Sequence, residues 1–254
     1  VATSADAKVL NATLTDAKAT DKLTLTVTGT ATAADLKALD AKTSEVVTAT
    51  GITLITGNAA DVKTVLKADG ITLDKITVGD AVAVVVTGKV SAADVNTIAK
   101  ATVGAVTATV AAGTAAFLNT ALANATTGTD ALTLTVNGAT ATAADLNALD
   151  GKTSVAVATI ATDITGSSAE VLAAYVANTA GTITGLGNET VHITGVDATV
   201  ANLDAINNAT TGLVTVTEVD TAAGAFSLAS LYTVTADSGD RKSTRLNSVT
   251  PMYL

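Results

Sequence analysis

Two patterns of apolar residues alternate along most of the chain. Some stretches place Val, Leu or Ile at every second position with Thr between them, as in LTLTV at 23–27. This alternation predicts β-strands with one buried face. Other stretches, such as AADLKALD at 33–40, place apolar residues three and four positions apart, which predicts short amphipathic helices. The pattern therefore predicts strands and helices in alternation.

Each predicted helix begins with a recognisable signal. A Ser, Thr or Asn stands three residues before an acidic residue, as Thr32 stands before Asp35. The first side chain can accept a hydrogen bond from a free backbone amide, and a carboxylate is favourable in the first turn. The same spacing recurs at Asn58 and Asp61, Ser91 and Asp94, Thr142 and Asp145, and Ser167 and Glu170. Helices of about two to three turns are too short to stand alone, so they must be held by packing.

The chain is also similar to itself. Segments 23–44 and 132–154 match closely, with one inserted residue. Eight helical segments align on the slot that Asp35 occupies, and Asp6 could be the remnant of a ninth. The eight slots fall at 35, 61, 94, 117, 145, 170, 202 and 227. Steps of 23 to 33 residues are typical of solenoid repeats.

A strand, a turn, a capped helix and another strand describe parallel strands joined by right-handed crossovers. The sequence therefore predicts an α/β fold: a solenoid of about eight strand–short-helix repeats with one parallel β-sheet. A closed barrel of eight strands is the alternative, but its helices are longer. We expect extra short strands at 71–73 and 182–184, and a strand at 81–86 that is covered on both faces.

Composition and charge exclude several classes of protein. The chain has 254 residues, no Cys and a net charge of −9, so it has no disulfide framework and no thiolate metal site. An acidic chain with so few arginines is a poor ligand for nucleic acid. No apolar run approaches the roughly 18 residues that a membrane span needs.

The composition changes abruptly near the end of the chain. Residues 1–239 contain no Arg, Pro or Met, whereas both arginines, Pro251 and Met252 lie in 240–254. We expect 1–239 to be the solenoid domain and 240–254 to be an unrelated tail, either disordered or the translation of a sequencing adapter. Since the chain begins at Val1 without a leader, we expect a removed signal or an internal fragment of a longer chain.

Candidate catalytic and metal-binding groups are few. The recurring carboxylates Asp35, Asp61, Asp94 and Asp145 could line up to bind divalent cations, but helix capping accounts for their type and spacing without a ligand. His192 is the only histidine and is predicted to face outward on a strand. A Ser-His-Asp arrangement stays open as an alternative, without a nucleophile-elbow motif to accompany it. GLGNET at 185–190 is interpreted as a hairpin-like turn. We therefore predict no catalytic residue, no metal and no cofactor.

The most unusual surface feature predicted is a set of Thr-x-Thr rows. If these threonines align across a flat parallel sheet, they form a regular hydroxyl face like that of ice-binding solenoids, and the alternative is that Thr is simply the polar β-former that faces water. The candidate binding residues are Thr24, Thr26, Thr48, Thr50, Thr107, Thr109, Thr133, Thr135, Thr215 and Thr217.

The units AADLNALD, KTSVAV and ITG resemble the Ala-, Thr- and Asp-rich repeats of very large bacterial, notably cyanobacterial, adhesin-like surface proteins. This resemblance implies a non-catalytic structural or adhesive module at the cell surface or outside the cell. Its expected partners are neighbouring repeats or copies of itself end to end, and no nucleic acid or membrane span. An ice- or glycan-binding solenoid that uses the Thr face is the alternative. The glycine-rich calcium nonapeptide of some such proteins is absent, so calcium binding of that type does not carry over.

Overall fold

The computed structural model describes residues 3–68, 75–126, 129–195 and 198–216. Within these ranges the chain is an α/β structure with parallel strands, as predicted. It has eight short helices, which are seven of the eight aligned helical segments and one at the Asp6 segment. The helices are α1 (Ala7–Thr13), α2 (Ala33–Asp40), α3 (Ala59–Val65), α4 (Ala92–Ala101), α5 (Ala115–Ala121), α6 (Ala143–Asp150), α7 (Ser168–Ala180) and α8 (Val200–Ala209). The strands are β1 (Thr3–Ala5), β2 (Leu25–Thr32), β3 (Val47–Gly57), β4 (Ile76–Val78), β5 (Ala83–Val90), β6 (Val106–Val110), β7 (Ala131–Thr133), β8 (Thr135–Val136), β9 (Thr140–Thr142), β10 (Val157–Thr159), β11 (Asp163–Gly166), β12 (Ile183–Thr184), β13 (Thr190–Ile193) and β14 (Val214–Val216).

Strands pair with the strands of neighbouring βα segments, where a βα segment means a helix with the strand or strands that lead into it. Leu25 on β2 lies opposite Val47 on β3, and Val47 lies opposite Ile76 on β4. Parallel pairing requires such a crossover, because a hairpin can join only antiparallel strands. In the described ranges each sheet is open, so the barrel alternative is wrong for this part of the chain.

The prediction of a single sheet is wrong, because the described strands form three. Sheet A has the order β1-β2-β3-β5-β6-β7 with β4 beside β3; sheet B has the order β12-β10-β8, and sheet C has the order β14-β13-β11-β9. Within the described residues, sheet A belongs to one compact unit (3–111, 120–134 and 152–155), and sheets B and C belong to a second (112–119, 135–151 and 156–216).

A bend in the strand region of a βα segment explains why the strands form three sheets rather than the single sheet predicted. In β2 and β5 the chain bends at Gly29 and Gly88, which have φ values of +84° and +78°. Pairing shifts register near these glycines but continues in the same sheet. In the segment 131–142 the chain leaves strand geometry at Leu134 and again at 137–139, which separates β7, β8 and β9. The bend is therefore a bulge in β2 and β5 and a break in the segment 131–142.

The buried faces follow the predicted alternation. Leu25 and Val27 are buried on β2 while Thr28 is exposed, and the helices bury the apolar residues three positions apart, such as Leu36 and Leu39. The strand predicted at 81–86 differs in detail. Val84 is buried, but its neighbour Val85 is only half-buried, so the second face of β5 is not fully covered.

The predicted capping signals form the helix starts. The side chains of Thr32, Asn58, Ser91 and Thr142 each accept a hydrogen bond from the backbone N–H three residues later, at 2.9 to 3.1 Å. Only at Ser167 is the capping box reciprocal, because Glu170 also accepts from the Ser167 backbone N–H, at 2.9 Å. The Asp6 segment also forms a helix, α1, with Asp6 as its N-cap.

Four buried threonines close the turns that follow α2, α4, α6 and α8, and the sequence did not predict them. Thr153 is 4% exposed. Its hydroxyl donates to the Leu132 carbonyl at 2.9 Å and accepts from the Leu132 and Val155 amides at 2.8 and 3.1 Å. One hydroxyl thus satisfies backbone groups of two consecutive segments, which would otherwise be buried without partners. The equivalent residues, here called the corner threonines, are Thr43, Thr102, Thr153 and Thr210.

Some predictions lie outside the described residues. These are the extra strand at 71–73, the last aligned helix at 225–232, and the tail at 240–254. The extra strand predicted at 182–184 is present as β12. The extent of the domain, 1–239, stays a prediction.

Replacing Thr153 by Val tests the corner threonines. The change keeps the shape of the side chain but leaves the buried Leu132 amide and carbonyl without this partner, so we expect a loss of about 2–3 kcal/mol in the free energy of unfolding, measured by urea denaturation. Thr133→Val, an exposed change one residue from Leu132, is the control and should stay within about 0.5 kcal/mol of the wild type. Equal losses in the two variants would contradict the role of the corner threonine.

Candidate binding face and polar clusters

Part of the predicted hydroxyl face forms a continuous row on sheet A. Thr26 lies opposite Thr48 on the adjacent strand, and Thr48 lies opposite Thr77. On the other side of β2, Ser4 lies opposite Thr26. Strands in a sheet lie about 4.8 Å apart, so four hydroxyl-bearing residues follow one another at the strand spacing. Thr26 and Thr48 are half-buried rather than fully exposed.

The other predicted threonines do not join this row. Thr109 lies opposite Thr133 and Lys89, whereas Thr107 lies opposite Ala131. Thr24 precedes β2, and Thr50 is skipped in the pairing of β3 with β2. Thr135 belongs to sheet B and Thr215 to sheet C, and Thr217 lies outside the described residues. The eight of the ten residues that lie in described strands are therefore spread over three sheets.

The recurring carboxylates link consecutive helices. Asp61 at the start of α3 accepts a hydrogen bond from Lys37 Nζ on α2 at 2.5 Å, and Asp94 on α4 accepts from Lys63 Nζ on α3 at 2.7 Å. In the second unit Asp145 on α6 accepts from Asn119 Nδ2 on α5 at 3.0 Å. In all three pairs the donor lies on the preceding helix, two residues after the position that aligns with Asp35. Each carboxylate therefore belongs to the start of its own helix and to the contact with the previous one, and we call this series the carboxylate ladder.

Two members of the ladder are electrostatically perturbed. The Lys37 ammonium, which donates to Asp61, holds the pKa of that carboxyl below its ordinary value, with a smaller contribution from the Asn58 amide. Lys63 and then Ser91 lower the pKa of Asp94 in the same way. Opposite charge and donated hydrogen bonds both favour the ionised carboxylate, so both residues support the fold in their charged form.

His192 lies in a hydrogen-bonded chain across sheet C. Its Nε2 is 3.0 Å from Asp163 Oδ2 on β11, and its Nδ1 is 2.6 Å from Thr215 Oγ1 on β14. The Thr215 hydroxyl is also within hydrogen-bonding distance of the Val191 carbonyl oxygen, at 3.1 Å. The half-exposed histidine thus ties three strands together, and the predicted outward strand position is confirmed.

A buried carboxylate, which the sequence did not predict, organises the loop at 185–189. Glu189 is 1% exposed. Its Oε2 accepts from the Gly187 and Asn188 amides at 2.7 and 3.0 Å, and its Oε1 accepts from the Tyr175 hydroxyl on α7. Burial raises the pKa of Tyr175 far above its ordinary value, and Glu189 adds to this effect. Tyr175 therefore acts as a hydrogen-bond donor here.

The interpretation of 185–190 as a hairpin-like turn is wrong. The loop joins β12 in sheet B to β13 in sheet C, and these strands do not pair with each other. The glycines allow close packing instead. A side chain at Gly185, which has a φ of +97°, would place its Cβ 2.0 Å from the Thr159 carbonyl oxygen. Only glycine fits at that contact.

Compared with models of protein families, with curated proteins and with solved structures, the chain shows no match. Among the described residues, no helix combines the length and apolar character needed to cross a membrane. The same ranges hold no group of three or more His, Cys, Asp or Glu residues placed to bind a metal ion.

Acid should weaken the carboxylate ladder. Because the pKa values of Asp61 and Asp94 are lowered on folding, their contribution is present above the ordinary value of 3.8 and is lost as the pH falls through the folded values. We expect the double variant Lys37→Met, Lys63→Met to be less stable than the wild type by roughly 0.5–2 kcal/mol at pH 7, since each exposed pair contributes about 0.2–1 kcal/mol. The two proteins should converge in strong acid, as measured by urea denaturation across pH.

Lys89→Met is the matched control for this experiment, because Lys89 is exposed on β5 and forms no ion pair in the described residues. This variant should follow the wild type at every pH. If the free energy of unfolding of the double variant lies as far below that of the wild type in acid as at pH 7, the two lysines stabilise the fold without the carboxylates.

Proposed function

We propose that the chain is a non-catalytic structural and adhesive module of a large extracellular bacterial surface protein, in which successive βα segments build an α/β solenoid. The observation that carries this proposal is the use of the recurring polar residues. The carboxylates of the ladder and the corner threonines form contacts between one segment and the next. The polar residues that recur from one βα segment to the next therefore stabilise the contact between neighbouring segments.

The sheet edges support continuation of such a stack. Within the described residues, β1 pairs only with β2, and β14 pairs only with β13. A parallel edge strand presents a row of backbone N–H and C=O groups that another strand can satisfy. We propose that further βα segments, of the same chain or of a second copy, dock at these edges.

A structural module should resist force applied between its ends. In single-molecule pulling of the full chain, we expect discrete unfolding events that each release the length of one or more βα segments, roughly 80–120 Å per segment. Thr153→Val should lower the unfolding force because it removes contacts between segments, whereas the exposed Thr133→Val should not. Featureless extension at all loading rates would contradict the mechanical role.

The second candidate function is binding of ice by the hydroxyl row of Ser4, Thr26, Thr48 and Thr77. The observation in its favour is that these residues follow one another in register across four strands. A row of regularly spaced hydroxyls on a sheet is the feature in which this chain resembles ice-binding solenoids.

Thermal hysteresis measurements separate the two candidate functions. If the row binds ice, the wild type shows hysteresis, Thr26→Tyr abolishes it by interrupting the row, and Ala38→Tyr on the exposed face of α2 leaves it unchanged. An unmutated chain without hysteresis would rule out ice binding and leave the structural role intact.

A further inference from the structure

A shallow groove of the same kind lies in each compact unit. In the first unit, Thr30, Thr32 and Thr56 line it together with Asp35, and the charged residues Asp6 and Lys8 of the α1 segment also contribute. In the second unit, the equivalent groove is lined by Thr140, Thr142, Thr165 and Asp145. In both, the middle threonine lies opposite the third one across a strand pair, Thr32 opposite Thr56 and Thr142 opposite Thr165. The two grooves have volumes of about 200 and 220 Å³.

The walls of these grooves offer hydroxyl groups that the fold does not use. Thr30 and Thr140 are exposed, and Thr56 and Thr165 are half-exposed. Within the described ranges none of these four hydroxyls forms a hydrogen bond to the protein. The middle threonines differ, because each caps its helix and donates to the aspartate at 2.7 Å. The helix amides are therefore already satisfied, and the groups left for a ligand are those of the strand ends.

Each groove also keeps acceptor capacity on its aspartate. Asp145 accepts one hydrogen bond at Oδ2, from Thr142, and one at Oδ1, from Asn119. A carboxylate has about four acceptor positions, so further donors can be accommodated. The floor is apolar, formed by the methyl groups of Ala31 and Ala141, which are each 7% exposed.

The chemistry of the lining selects the class of ligand. An anion would be repelled by the aspartate that lines both grooves, since Lys8 lines only the first groove and is accompanied there by Asp6 as well as Asp35. A hard cation needs several oxygens that converge on one point. A neutral molecule rich in hydroxyls can donate to the carboxylate and exchange hydrogen bonds with the threonines, while its C–H groups lie on the alanine floor. The volume is smaller than the roughly 300–1,000 Å³ of pockets for drug-sized ligands, which fits one sugar ring.

From these observations we infer that the paired grooves at the carboxyl ends of β2 and β9 are carbohydrate-binding subsites, each for a single pyranose ring. The inference rests on the adhesive part of the proposed function and places binding at the strand ends instead of on the predicted Thr face. Two subsites on one chain would raise the avidity for a polymeric glycan if both can be engaged at once.

The test is an NMR titration of the full ¹⁵N-labelled chain with methyl α-D-glucopyranoside and, separately, methyl α-D-mannopyranoside. We expect saturable shifts of amides at both grooves with at least one of the sugars, and a Kd on the order of 1 mM, which is typical of so small a ligand. Ethylene glycol at the same concentration should cause no saturable shift. The absence of saturable shifts at both grooves with both sugars would overturn the inference.

Variants assign the binding to the grooves. Thr140→Val removes an unused hydroxyl and should weaken binding at the second groove by roughly fivefold to tenfold, while the first groove keeps its affinity. Thr30→Val should have the reverse effect. Thr28→Val, exposed on the same strand but outside the groove, should bind as the wild type does. Wild-type affinity at both grooves in the Thr30→Val, Thr140→Val double variant would also overturn the inference.

The outcomes for the two proposals are distinguishable. A chain that resists force but binds neither sugar retains the structural role and loses the subsites. A chain that binds a sugar at the grooves but extends without resistance retains the subsites and loses the mechanical role.

Discussion

A strand in a parallel sheet can form its backbone hydrogen bonds only with a neighbouring strand from which a whole crossover separates it in the sequence. In the described ranges each crossover between paired strands contains a helix of 7 to 13 residues, too short to be stable without packing. Neither the strands nor the helices of one βα segment are therefore stable alone. Side-by-side contact with the next segment completes the hydrogen bonds of the strand and covers the apolar stripe of the helix, and the corner threonines and the carboxylate ladder reinforce that contact.

The composition is suited to this arrangement. Among the described residues, buried positions are filled mainly by Val, Leu, Ile and Ala, and large aromatic side chains are almost absent from the core. Small side chains allow a helix and a sheet to approach closely in a thin layer. The exception is Tyr175, whose polar end requires a buried acceptor. Glu189 supplies it, and the glycines at 185 and 187 allow the loop to close over that pair.

The sequence predicts the elements of this fold well and their arrangement less well. The alternation at 23–27 and the capping pair Thr32 and Asp35 depend on local geometry, so strands and helix starts can be located from the residues alone. The division into three sheets depends on whether the bend in the strand region of a segment is a bulge, as at Gly29, or a break, as at 137–139. Both bends contain glycine, and local sequence does not distinguish them. The corner threonines were missed for a related reason, since Thr153 and the exposed Thr133 are the same residue type and only the tertiary fold buries one of them.

The carboxylate ladder has a genetic consequence. Helix α3 carries both an acceptor for the helix before it, Asp61, and a donor for the helix after it, Lys63. A tandem duplication of such a stretch of coding sequence would supply both halves of the new junction at once, without compensating mutations elsewhere. Helix α5 has Phe117 where α2, α3, α4 and α6 have an aspartate, so a copy inserted directly before α5 would lack this bond. Growth by duplication is thus favoured at some junctions and disfavoured at that one.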